Sequence, residues 1–170
     1  MSKKNNYVAK YGRNINNVIV HCTGGALDSS VQAIVNFWKK PKSQGGRGWK
    51  HVGYHKLIPM NGNTAILATP HQVTNGVYGW NSDAYHISWT GGMNGDNRTQ
   101  AQKDSLYREV KWAIDEFGPN IDIWGHRDFS KDKDGNGIIT PGEWSKQCPA
   151  FDLIQWMNKT GLYNYLLNKK

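Results

Sequence analysis

Residues 17–21, Asn17-Val18-Ile19-Val20-His21, make a nearly continuous β-branched run and read as a buried core strand. Thr23-Gly24-Gly25 closes it in a tight turn. Val31, Ile34, Val35 and Trp38 then recur at helical spacing, which predicts a helix capped by Asp28 or Ser29 and ending at Lys40, before Pro41. Residues 51–60 alternate, and the turn Asn61-Gly62-Asn63 hands them to a partner strand over residues 64–69. Residues 74–83 read as a surface loop at the edge of a cleft, and residues 84–90 as the next strand, closed by Gly91-Gly92.

Thr99 and Gln102 form a capping box, and Leu106, Val110, Ala113, Ile114 and Phe117 trace the apolar face of a long helix behind it. Gly118-Pro119 stops that helix. A short strand over residues 121–124 leads into His126, and a third helix begins at Asp152 with Leu153, Trp156 and Met157 inward. Residues 1–16 read as a polar arm docked through Tyr7 and Tyr11, and residues 168–170 as a frayed end. Strands alternating with helices predict an α/β fold, one domain with a central mixed sheet flanked by helices. The 170 residues suffice for one sizeable core.

Composition changes this picture in four ways. Eight tryptophans and eight tyrosines leave aromatic surface for sugars or peptides even if most of them pack the core. No apolar run approaches the roughly 20 residues of a membrane span, so no membrane insertion is expected. The N-terminal MSKKNNYVAK is basic and polar and does not read as a secretory signal. A net charge of +8 draws the surface to polyanions. No helix-turn-helix, zinc-finger or RRM signature accompanies it, so an anionic cell envelope fits better than nucleic acid. A monomer is expected.

Three residues stand out chemically. His126 ends an apolar run, Cys148 follows Lys146 by two positions, and His21 ends Val18-Ile19-Val20. Two imidazoles and a thiolate suit a borderline-soft metal such as zinc, with a fourth position left for water. Cys22, next to His21 in a strand, should point to the opposite face as a small buried hydrophobe. Two cysteines make no disulfide framework.

In order along the chain stand VIVHCT at residues 18–23, RGW at 47–49, VGYH at 52–55, TGG ending at Gly92, GHRD at 125–128 and K-x-C-P-x-F-D-L at 146–153. This set resembles the zinc-dependent N-acetylmuramoyl-L-alanine amidases of the phage-lysozyme type, within the type-2 amidase and peptidoglycan recognition protein superfamily. The resemblance implies zinc on His21, His126 and Cys148, and catalytic roles for Tyr54 and Lys146. It also implies hydrolysis of the amide between N-acetylmuramic acid and L-alanine, with peptidoglycan as substrate. Alternation along a strand would turn Tyr54 and His55 to opposite sides, and His51, His55, His71 and His86 read as structural. Two rivals remain: a recognition module that binds muropeptide without cutting it, and a hydrolase of another peptidoglycan bond. Non-catalytic relatives typically lose the cysteine, which is present here. With no signal segment, the expectation is synthesis in the cytoplasm and access to the wall by lysis or non-classical export.

The chain departs from that family pattern twice. The cleft loop, residues 75–81, has no histidine, where the family often carries one. Between His126 and Lys146 lies an insertion, residues 131–144, holding D-K-D-G-N-G-I-I-T-P-G-E. That is the EF-hand loop pattern. Asp132, Asp134 and Asn136 would supply side-chain oxygens, Ile138 a carbonyl, Thr140 a direct or water-mediated contact and Glu143 a bidentate carboxylate, with Gly137 at the sharp turn. Calcium is the cation expected of such a set.

Overall fold

The strand predicted at residues 17–21 is β1 (Asn17–Cys22), and it lies inside the sheet because both its faces are apolar. Val18, Val20 and Cys22 face one core cluster, while Ile19 packs on the other side with Val77 and Ala84. In this computed structural model, which describes residues 8–170, β1 runs parallel to β4 (Ala84–Trp89) and to β5 (Asp122–Gly125). β2 (Lys56–Ile58) is parallel to β4 and carries β3 (Ala65–Ile66) antiparallel at the edge. The order is β3-β2-β4-β1-β5, a mixed sheet.

One face of the sheet is covered by α3 (Gln100–Phe117), whose inward side is the predicted set Leu106, Val110, Ala113, Ile114 and Phe117. Its capping box is formed as expected, Thr99 accepting from the Gln102 N–H at 3.1 Å and Gln102 returning the bond to the Thr99 N–H at 3.0 Å. α4 (Leu153–Thr160) and α5 (Leu162–Leu167) complete this layer. The single predicted third helix is thus two, because Gly161 adopts φ 78° and turns the chain.

The other face is left to α2 (Val31–Lys39) and to loops. Trp38 of α2 meets Tyr54 edge-on at 5.2 Å and stacks with Trp49 at 6.2 Å. The cap of α2 is Ser30, which accepts from the Ala33 N–H at 3.1 Å, rather than Asp28 or Ser29.

Four further expectations are corrected. The strand predicted over residues 51–60 shrinks to Lys56–Ile58, and upstream of it Gly53 packs directly beneath Trp38, where a Cβ would lie 2.9 Å from the indole. Its partner, predicted over 64–69, shortens to Ala65–Ile66. The loop over residues 74–83 is only partly on the surface, since Thr74 and Val77 are buried beneath it. The N-terminal arm is not wholly polar. It includes α1 (Val8–Tyr11), and Tyr11 is buried, edge-on to Phe117 and His71 and hydrogen-bonded to Glu116. Tyr7, the other predicted docking point, lies outside the described residues. At the other end Lys169 pairs with Asp115.

Candidate metal centre

β1 and β5 run side by side in the same direction, so the residues just beyond their paired stretch, which ends at Val20 and Gly125, emerge together. His21 is the fifth residue of β1 and fully buried, and His126 opens the 3-10 turn that follows β5. Cys148 is brought to them by the returning chain, whose carbonyl accepts from the Arg127 N–H at 2.8 Å. Gly125 permits this approach, because a Cβ there would lie 2.7 Å from Pro149 Cδ.

The three donors converge. His21 Nδ1 lies 3.1 Å from His126 Nδ1 and 3.7 Å from Cys148 Sγ, and all three ligand atoms fall within 4.8 Å of one another. Ligands around a tetrahedral zinc sit roughly 3.3–3.6 Å apart, given bonds of about 2.0–2.1 Å to nitrogen and 2.3 Å to sulfur. The spacing and the N, N, S chemistry therefore fit such an ion.

Electrostatics favour the same use. Burial, with the neighbouring charges of His86, His126 and Lys146, pushes the His21 imidazole well below its usual range, and burial with Lys146 holds His126 at about 4. Both rings are neutral near pH 7 and offer lone pairs. Burial and the nearby Cys22 push the Cys148 thiol upward, so its proton leaves readily only when a cation arrives. Cys22 is buried among the core residues, as expected, but its thiol meets the Cys148 thiol rather than turning wholly away from the centre, and the two form no disulfide.

The centre opens on a cleft of about 600 Å³. Tyr54 and Lys146 line it, as do Trp38, Trp49, Arg47 and Phe37. The Tyr54 ring lies 4.9 Å from His21, and burial raises its phenol above the ordinary value, so the hydroxyl keeps its proton at neutral pH. Lys146 is exposed at the rim, and its charge acts on His21, His126 and Cys148. His55 turns away from the centre, although residues 54 and 55 are not in a strand: its Nδ1 accepts from the His86 N–H at 3.0 Å and its ring stacks on Tyr85.

One residue read as merely structural lies in contact with the centre. His86 Nδ1 is 3.0 Å from His21 Nε2, with both rings fully buried. Only the parallel pairing of β1 with β4 brings them together, and no sequence spacing signals it.

The inserted loop brings Asp132, Asp134 and Glu143 within 4.8 Å. The carboxylates are held by the loop's own donors. Asp132 accepts from the N–H groups of Gly135 and Gly137, and Asp134 from Asn136. Glu143 accepts from the Thr140 N–H, the Lys133 N–H and the Thr140 hydroxyl, which hold its carboxyl down at about 2. Asn136 Oδ1 accepts from the Ile138 N–H, and Ile138 is exposed.

Residues 11–150 match the family described as N-acetylmuramoyl-L-alanine amidase. An uncharacterised protein of Haemophilus influenzae is 33% identical over 110 residues, covering 62% of this chain and 94% of its own length. Among solved structures, the Ph2119 endolysin from a Thermus scotoductus bacteriophage superposes with a TM-score of 0.65 at 19% identity, over 87% of this chain and 86% of that one. The N-acetylmuramoyl-L-alanine amidase LysC of Clostridium intestinale gives 0.65 at 23% identity, over 89% and 88%. A peptidoglycan recognition protein ectodomain complex with tracheal cytotoxin gives 0.63 at 19%, over 89% and 93%. These structures share the fold, and the match over most of the sequence settles the kinship: the chain belongs to the N-acetylmuramoyl-L-alanine amidase family.

Proposed function

We propose that the protein is a zinc-dependent amidase that hydrolyses the bond between the lactyl group of N-acetylmuramic acid and L-alanine in peptidoglycan. The observation that carries this reading is the convergence of His21 Nδ1, His126 Nδ1 and Cys148 Sγ, with His126 and Cys148 lining an open cleft and His21 buried behind them. Zinc held there supplies Lewis acidity and lowers the pKa of water toward about 7.

The chain's own groups do the rest. The protonated Tyr54 hydroxyl and the Lys146 ammonium line the cleft where negative charge would develop on the scissile carbonyl, and both can donate to it. Trp38, Trp49 and Phe37 offer apolar faces to sugar or peptide, and Arg47, beside Phe37 and Trp49, offers a guanidinium to stem-peptide carboxylates. The net charge of +8 favours approach to an anionic wall. The protein would act there as a monomer, reaching the wall by lysis or non-classical export. The same reading extends to a calcium ion in the loop at residues 132–143, which would brace the chain between His126 and Cys148.

Mass spectrometry of products from purified peptidoglycan tests the reaction. Release of stem peptides with a free L-alanine amine is expected; cleavage within the stem or the glycan would overturn it. Binding without any product would mean a recognition module, a reading that the retained, buried Cys148 disfavours.

A further inference from the structure

We infer that His86 is a positioning residue for the metal centre: its Nδ1 accepts a hydrogen bond from His21 Nε2, which leaves His21 Nδ1 free for the cation. The inference rests on the zinc reading above and adds a residue to it. The 3.0 Å contact joins two fully buried rings, so no water competes for either nitrogen. A neutral imidazole carries one proton. With that proton on His21 Nδ1, the nitrogen facing His126 and Cys148 would have no lone pair for a metal. With it on Nε2, His21 needs an acceptor at that atom, and His86 Nδ1 is the atom present. Metal-ligating histidines generally depend on such a partner for tautomer and ring orientation.

The surroundings hold His86 in place without contesting its tautomer. Its backbone N–H donates to His55 Nδ1 at 3.0 Å, and its carbonyl accepts from the His55 N–H at 3.0 Å. His55 is anchored in turn, its Nε2 lying 2.9 Å from the Gln72 carbonyl. The far nitrogen of His86, Nε2, is buried and meets no partner among the described residues. His21 is therefore the group that decides where the His86 proton sits. Gly76 of the cleft loop lies over the ring, where a Cβ would be 2.3 Å from His86 Nδ1, so the loop leaves room for this contact.

Two variants and one spectrum test the assignment. His86→Leu removes the acceptor; His86→Asn keeps an oxygen near the position of Nδ1. Chelator competition should show zinc bound about 10- to 100-fold more weakly by His86→Leu, with much of the loss restored in His86→Asn. The two zinc-free variants should melt alike. A purely structural role would instead lower the melting temperature of zinc-free His86→Leu and leave its zinc affinity unchanged, and that result overturns the inference. Equal losses in both variants overturn it too. Should His86→Leu not fold, long-range proton–nitrogen NMR of the zinc-loaded wild type decides: protons on His21 Nε2 and His86 Nε2 are expected, and one on His86 Nδ1 refutes the assignment. A wild type that takes up no zinc overturns the metal reading itself and this inference with it, whereas zinc-binding wild type with an indifferent His86→Leu overturns the inference alone.

Discussion

The backbone N–H of Cys22 donates to Cys148 Sγ at 3.1 Å, so two successive residues of β1 serve one centre. His21 turns its ring toward His126, and Cys22 offers the sulfur a main-chain donor while its own side chain packs in the core. A donor aimed at the sulfur favours thiolate, the form a metal needs.

Replacing that sulfur should therefore remove metal and activity together. Cys148→Ser is expected to lose stoichiometric zinc, measured by elemental analysis, and lytic activity, while its circular dichroism stays that of the wild type. One zinc per chain is expected in wild type purified without chelators. Full zinc content in Cys148→Ser would remove the thiolate from the ligand set.

Tyr54→Phe and Lys146→Ala should separate chemistry from metal binding. Loss of one donor to developing negative charge typically costs about 100- to 1000-fold in rate. Each variant should keep its zinc and lose kcat to that extent. Wall lysis at the wild-type rate by both would leave these side chains without a catalytic role.

Calcium should brace the inserted loop. Asp132, Asp134 and Glu143 are already gathered within 4.8 Å, held by the loop's own N–H groups. A ligand bound only by the folded state at a hundredfold excess over Kd adds about 2.7 kcal/mol, or roughly 5–10 °C in Tm for a chain of this size. Scanning calorimetry should show that shift in the wild type and not in the double variant Asp132→Ala/Glu143→Ala. Equal shifts in both, or none at millimolar calcium, would make the loop a hydrated acidic insertion.

His55 should make the fold sensitive to mild acid. Burial, the larger effect, and the charge of Arg13 lower its pKa, while the Gln72 carbonyl works the other way; the net value is about 3. An unfolded histidine titrates near about 6.5. Between those values the unfolded chain binds more protons than the folded one, so stability rises with pH across that window. The contribution is fully present above about pH 6.5 and is lost as pH falls toward 3. Urea unfolding at pH 8, 6, 5 and 4 should therefore show a steeper loss for wild type than for His55→Asn. Parallel pH profiles would mean that His55 titrates normally.

The sequence by itself determined the pieces whose signals are local. Leu106, Val110, Ala113, Ile114 and Phe117 mark a helical face at fixed spacing, Thr99 and Gln102 cap it within one turn, and residues 18–20 read as core because both sides of the strand are apolar. The ordered motifs around His21, His126 and Cys148 named the family, and the structure brings those three residues together. Tertiary structure decided what depends on close approach between distant segments. The predicted strand over residues 51–60 pairs only at Lys56–Ile58, with Gly53 packed beneath Trp38, and Gly161 in the left-handed region split the last helix. Burial of Thr74 and Val77 drew a predicted surface loop inward. The contact between His21 and His86 crosses 65 residues. It exists because β1 pairs with β4 in a register that sets Ile19 beside His86 and His21 beside Ser88. Strand order and register arise from how whole faces bury against one another, so a histidine two strand positions from a candidate metal ligand on the neighbouring strand carries no mark of it in its own surroundings.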